Sequence, residues 1–280
     1  MKNILIYTAF VFFSWSAAGQ SKLEKLRDQT VQEGKKLWAS EMASWYGTDL
    51  FLEKYKEDHD KIGGYFSYVD NPKKSTCVFY GKGENPKIIG TMVFDETYNT
   101  DTADYNLLER QMTELEKEYY TLRIKTQEYI KHDTIFKRYE DTTLNLIPII
   151  DKDEKKVYLI TGYNGKQKIV VYGNDYLITF DKKNNIKKAK KLHASYLPFD
   201  YGETDPNKMS IAGIHSHIDL SGDLMSPTDI CTTMLYEKFT KWENYYVISD
   251  RYVSIWDCKK DELLVMTREA WERMSKENKE

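Results

Sequence analysis

Apolar residues recur along the chain with two different periods. From Ser21 to about Lys56 they fall at three- and four-residue steps or multiples of them, Leu23, Leu26, Leu37, Met42 and Trp45 among them, which is the period of an amphipathic helix. Gly47-Thr48-Asp49 interrupts this stretch, so two helices joined there are expected, with Thr48 or Asp49 capping the second. Three strand-like runs follow, Tyr65 to Val69, Thr76 to Tyr80 and Ile88 to Phe94, separated by turn residues that predict a three-stranded meander. A long helix is predicted from about Ala103 to Lys131, where Leu108, Met112, Leu115, Tyr119, Leu122 and Tyr129 form one seam for packing on the sheet.

From Leu144 the period shortens. Strands are predicted at Leu144 to Ile150, Val157 to Thr161, Ile169 to Tyr172, Tyr176 to Phe180, Ile186 to Leu192 and Ile211 to His217. A helix from about Pro227 to Lys241 comes next, then strands at Tyr245 to Ile248, Val253 to Trp256 and Leu263 to Met266, and a charged helix from Glu269. Residues 20 to 138 thus read as an α+β unit of helices plus a meander, and residues 139 to 280 as a second, sheet-rich unit.

Residues 1 to 19 have a different texture. Lys2, the apolar run Ile4 to Phe13 and the small residues Ala17-Ala18-Gly19 read as a secretory signal cleaved before Gln20. No later stretch approaches the roughly 20 apolar residues of a membrane helix, so no integral membrane segment is expected after cleavage, and the expected location is secreted or periplasmic. The 41 Lys+Arg and 44 Asp+Glu are interspersed and give a net charge of −3, which argues against nucleic acid as a partner. Cys77, Cys231 and Cys258 match neither a disulfide framework nor a C-x-x-C zinc site.

One constellation carries chemistry. His215 and His217 end a predicted strand, where residues two apart share a face, so both imidazoles can reach one metal ion. Asp229 lies twelve residues beyond His217, in the first turn of the next helix, with Asp219 and Asp223 as spare carboxylates in the loop between. Ser226-Pro227-x-Asp229 is equally a good helix start, with Ser as cap and the carboxylate reaching back, and a pure capping role competes with ligation. His193, after a Lys-rich run, reads as structural, and His59 and His132 as solvated. The sequence lacks the H-x-E with P-C-x-x-C of zinc deaminases, the G-x-S-x-G elbow of serine hydrolases and a P-loop.

The segment H-S-H-I-D-L-S-G-D-L-M-S-P-T-D resembles the JAMM metallopeptidase family, whose signature is H-x-H, seven residues, then S-x-x-D. Eight residues separate His217 from Ser226 here, Ile218 stands where Pro is usual, and Ser221-Gly222-Asp223 is similar to the S-G-D of the RadC-like branch. Over residues 173 to 266 the resemblance implies an α/β mixed-sheet domain of cytidine-deaminase-like fold, and zinc on His215, His217 and Asp229. It also implies hydrolysis of peptide or isopeptide amides in a peptide or protein substrate, with Ser226 donating to the developing oxyanion. The family's catalytic Glu is absent at the matching hairpin. Asp175 stands there instead, and Glu154 is the rival general base. The alternative is a metal-free scaffold of the same fold, acting as a protein-binding module of the cell envelope.

Overall fold

The computed structural model describes residues 2–57, 59–71, 73–152, 154–203, 210–218 and 220–277, with side chains from residue 21 onward. The expected signal segment therefore lies largely outside the described side chains. Among the described residues no helix is long and apolar enough to cross a membrane.

Helix α1 (Lys2–Lys54) runs unbroken through Gly47, where two helices were expected. The reason is steric: a Cβ at Gly47 would lie 2.6 Å from Cys77 Cβ, so the glycine serves close approach of helix to sheet. Strands β1 (Ile62–Asn71), β2 (Lys74–Gly81), β3 (Ile88–Phe94) and β4 (Asp104–Asn106) form an antiparallel sheet in that order. Ala43, Leu50 and Phe51 of α1 pack on Cys77, Phe79, Met92 and Phe94 of this sheet.

The fourth strand takes residues assigned above to a long helix. Helix α2 (Glu114–His132) starts later, at a capping box in which Thr113 Oγ1 accepts from Glu116 N–H and the Glu116 carboxylate accepts from Thr113 N–H. Arg110 holds that carboxylate with two 2.7 Å contacts, and Leu108, 76% exposed, lies outside the helix. The signal T-x-x-E was in the sequence, but the apolar seam ran through it.

Leu122 and Ile130 of α2 pack on a second antiparallel sheet, built from β5 (Thr142–Asp151), β6 (Glu154–Tyr163), β8 (Tyr176–Phe180) and β9 (Ile186–Lys191). Strand β7 (Ile169–Gly173) leaves this sheet and pairs with β10 (Tyr196–Asp200). β10 is not among the strands expected above; as an edge strand paired on one side only, it tolerates the missing N–H of Pro198.

The last sheet has the order β11 (Ala212–Ser216), β12 (Asn244–Ile248), β13 (Tyr252–Asp257) and β14 (Glu262–Thr267). β11 and β12 are parallel, joined through helix α3 (Pro227–Thr240), and the other pairs are antiparallel. Helix α4 (Arg268–Glu277) rests on the outer face, with Trp271 against Tyr246. The fold is thus α+β, with antiparallel sheets and one mixed sheet. Leu37 of α1 packs among Ile147, Tyr158, Ile160 and Cys231, so α1 also touches the second sheet and α3. All three thiols are free.

Candidate metal centre

Three separate elements deliver side chains to one buried point. In the β8–β9 hairpin Tyr176 pairs with Lys191, and one step further Leu192 N–H bonds Asp175 C=O at 2.8 Å. Asp175 and His193 therefore leave the same end of the hairpin side by side. The chain enters β8 through a left-handed kink, Gly173 at φ 77° and Asn174 at φ 55°. Asn174 is locked there: its amide donates to Lys137 C=O (3.0 Å) and Thr161 Oγ1 (3.1 Å), and its carbonyl accepts from the Tyr176 hydroxyl (2.6 Å).

Strand β11 supplies the H-x-H. Exposed Ile214 and Ser216 alternate with buried His215 and His217, so both imidazoles point inward. His215 Nδ1 lies 3.0 Å from the Tyr245 hydroxyl, and that phenol ring is stacked on Tyr172 at 4.4 Å. His217 lies just past the strand end, where its N–H bonds Ile248 C=O at 2.8 Å. Both histidines sit at the carboxyl end of a parallel strand pair, where open sheets place their ligands.

Helix α3 supplies Asp229. Ser226 Oγ accepts from Asp229 N–H at 3.1 Å, and Asp229 Oδ2 accepts from Ser226 N–H at 2.8 Å. The capping box read in the sequence is present, and it fixes a carboxylate that is 1% exposed. Capping engages Oδ2 and leaves Oδ1 without a hydrogen bond. Capping and ligation are therefore compatible.

The donors converge. Asp229 Oδ2 lies 3.1 Å from His217 Nε2 and 3.4 Å from His193 Nε2, and Oδ1 lies 3.6 Å from His215 Nε2. One ligand atom each from His193, His217 and Asp229 lie within 4.8 Å of one another. Among the described residues His193 Nε2, His217 Nε2 and Asp229 Oδ1 are buried without a well-aligned hydrogen bond, the two imidazoles meeting only Asp229 Oδ2 as close ion-pair contacts. Donors around a tetrahedral zinc at 2.0–2.1 Å stand about 3.4 Å apart, so these residues fit such an ion in kind and in spacing.

Charge follows the same arrangement. Burial disfavours the charged form of Asp229, but the surrounding His193, His215 and His217 hold its carboxyl well below the usual range. Burial also opposes a proton on His193; the Asp229 charge and the hydrogen bond to Asp175 outweigh it and push the ring up to about 10. For His215 burial prevails over Asp229 and takes the ring down to about 4, so it is neutral at pH 7. Burial raises Asp175 against the opposing hydrogen bond from His193.

Two expected ligands, His217 and Asp229, belong to the converging group; His193 is its third member, and His215 stands beside it. Asp175 lies behind His193, with Oδ2 3.1 Å from His193 Nδ1 and Oδ1 accepting from Thr161 N–H at 3.2 Å. Glu154 lies at the far end of β6 from Thr161, 77% exposed and 3.5 Å from Lys156, and the structure does not bring it to the cluster. Ser226 Oγ is engaged by Asp229 N–H and by Thr228 Oγ1 at 3.0 Å. Asp223 pairs with Arg251, and Asp219 lies outside the described residues. The signal for His193 was the hairpin itself, whose pairing sets residue 193 beside residue 175.

No protein family, curated protein or solved structure matches the chain.

Proposed function

We propose that the chain is a secreted or periplasmic zinc-dependent hydrolase of peptide or isopeptide amide bonds, with a JAMM-like domain over residues 173 to 266. One observation carries the reading: two buried imidazoles and a buried carboxylate, His193, His217 and Asp229, offer one ligand atom each within 4.8 Å of one another. His193, His217 and Asp229 would hold the ion. When bound, zinc supplies Lewis acidity toward a carbonyl oxygen and lowers the pKa of water to about 7.

The chain's own groups account for the rest. His215, braced at Nδ1 by Tyr245 and with Nε2 3.6 Å from Asp229 Oδ1, is the remaining imidazole at the cluster and is the group placed to take a proton at Nε2. Its ring lines a small cavity of about 50 Å³ together with His193, Ser195 and Ser221. A larger cleft of about 280 Å³ opens on the His217 side between Ile218, Ser249 and Arg251, a size at the lower end of small-ligand pockets. Ile218 borders both and divides the approach to the cluster. Ser226 acts by fixing Asp229 through the helix cap, in place of the oxyanion role that the resemblance implies.

The metal-free scaffold is favoured by one feature, the contact of His193 Nε2 with Asp229 Oδ2 at 3.4 Å, which gives the buried carboxylate a partner within the chain. Metal analysis decides between the two. Protein purified without chelator is expected to carry about one zinc per chain and to cleave a peptide or isopeptide substrate. His217→Ala is expected to lose the zinc and the activity together. A wild-type chain that carries no metal and gains no thermal stability from added zinc overturns the hydrolase.

A further inference from the structure

We infer that Asp175 is a positioning residue that holds the His193 ring with its proton on Nδ1 and its Nε2 turned toward the ion, and is not the base of the reaction. The inference rests on the metal-centre reading above. The carboxylate, 2% exposed, has both oxygens engaged away from the cluster, Oδ2 with His193 Nδ1 at 3.1 Å and Oδ1 with Thr161 N–H at 3.2 Å. The histidine ring stands between Asp175 and Asp229, with Nδ1 facing one and Nε2 3.4 Å from the other. An ionised carboxylate only accepts, so Nδ1 must donate, and in the neutral ring the lone pair is then at Nε2. Metal-bound histidines commonly carry such a partner on their other nitrogen.

The placement is built into the hairpin. Pairing between β6 and β8 stops at Leu159 opposite Tyr176, and Asp175 Oδ1 replaces the missing strand as acceptor for Thr161 N–H. Thr161 Oγ1 donates in turn to Asn174 C=O at 2.9 Å, which closes a ring of contacts around the left-handed kink. The carboxylate is therefore held from the β6 side and cannot swing round His193 to the open side of the cluster without breaking these bonds.

Asp175→Asn tests the inference because it preserves shape and changes only hydrogen bonding. Whichever way the amide turns, its NH₂ meets a donor, either Thr161 N–H or His193 Nδ1–H. The second conflict is relieved only if the histidine proton moves to Nε2, which removes the ligating lone pair.

Zinc affinity is measured by competition with a chromogenic chelator for wild type, Asp175→Asn, His193→Ala and the double variant. Asp175→Asn is expected to bind about 10- to 100-fold more weakly. The double variant is expected to match His193→Ala, since Asp175 acts only through that ring. An Asp175→Asn affinity within about twofold of wild type, or a double variant that loses both factors in full, overturns the inference while leaving the metal centre standing. A wild type that binds no zinc overturns both. Histidine ¹⁵N spectra of the zinc-loaded wild type give an answer that needs no variant to fold. A proton on His193 Nδ1 with Nε2 shifted by the metal supports the role, and the reverse assignment refutes it.

Discussion

Gly213→Ala tests how the aromatic layer beneath the cluster holds His215. Gly213 pairs directly with Tyr245 across β11 and β12, and a Cβ at this position would lie 2.3 Å from Tyr245 Cε2 and 2.5 Å from Cδ2. Carbon atoms pack at about 3.5–4.0 Å, so the ring must retreat by roughly 1 Å or more. It has little room: Tyr245 is fully buried, with Tyr172 stacked at 4.4 Å and Trp242 at 5.0 Å. Overpacking of this kind costs about 1–3 kcal/mol, and for a chain of this length each kcal/mol lowers Tm by about 2–4 °C. The expected fall is therefore roughly 2–12 °C in metal-free protein, measured by calorimetry or circular dichroism. The same retreat carries the phenol away from His215 Nδ1, now 3.0 Å distant, and the histidine ¹⁵N signals should report the lost bond. Ser216→Ala, at an exposed site on the same strand, is the control and should stay within about 0.5 kcal/mol of wild type. A Gly213→Ala variant with wild-type Tm and unchanged His215 signals would refute the account of the layer.

Other outcomes follow from the same structure. Burial raises Glu41 from 4.5 to about 7, against the hydrogen bond from Asn145 and the charge of Arg123. For an acid raised in this way, stability is greatest below the unfolded value and is lost as pH rises from 4.5 to about 7. Glu41→Gln should remove that slope and leave the variant more stable above pH 7 by about 1–3 kcal/mol, as read in urea titrations at pH 4 and pH 8; equal slopes would contradict it. Ser226→Ala deletes the acceptor for Asp229 N–H and should cost about 0.5–2 kcal/mol in the same titrations, whereas no loss would mean that the cap is dispensable. Cys77 and Cys231 are fully buried, and burial pushes the Cys258 thiol up to about 12, so iodoacetamide at pH 8 should label native protein far more slowly than unfolded protein. Rapid labelling of the native chain would show an accessible thiolate.

What the sequence revealed depended on how local the determining physics was. Strands such as Ile88–Phe94 and Tyr176–Phe180 were legible to the residue, because apolar runs between turn residues leave no competing choice. The break expected at Gly47 failed because the glycine's reason is a contact with Cys77, thirty residues away, which no local pattern contains. The helix expected from Ala103 failed because a periodic seam overrode the capping box at Thr113. At the site, H-x-H and Asp229 could be found because strand alternation and a helix start are local. His193 was read as structural, since the pairing that sets it beside Asp175 runs across a hairpin and its meaning for the site emerges only once Asp229 and His217 are in place. The position of Glu154, at the wrong end of its strand, likewise depends on register.

The long first helix sets a timetable for the nascent chain. Leu37 is made early, yet part of the apolar surface that covers it, Cys231 on α3, is synthesised roughly 190 residues later. At about 5–20 residues per second, the interval is roughly 10 to 40 s. Ala43, Leu50 and Phe51 wait a much shorter time, because β2 and β3 follow α1 closely. The stretch from Ala43 to Phe51 is thus clothed early by its own neighbours, whereas the cover of Leu37 begins with β5 and β6 and is completed only when the segment carrying Asp229 emerges. Until then the incompletely covered stretch invites a chaperone, or a second copy of the same chain.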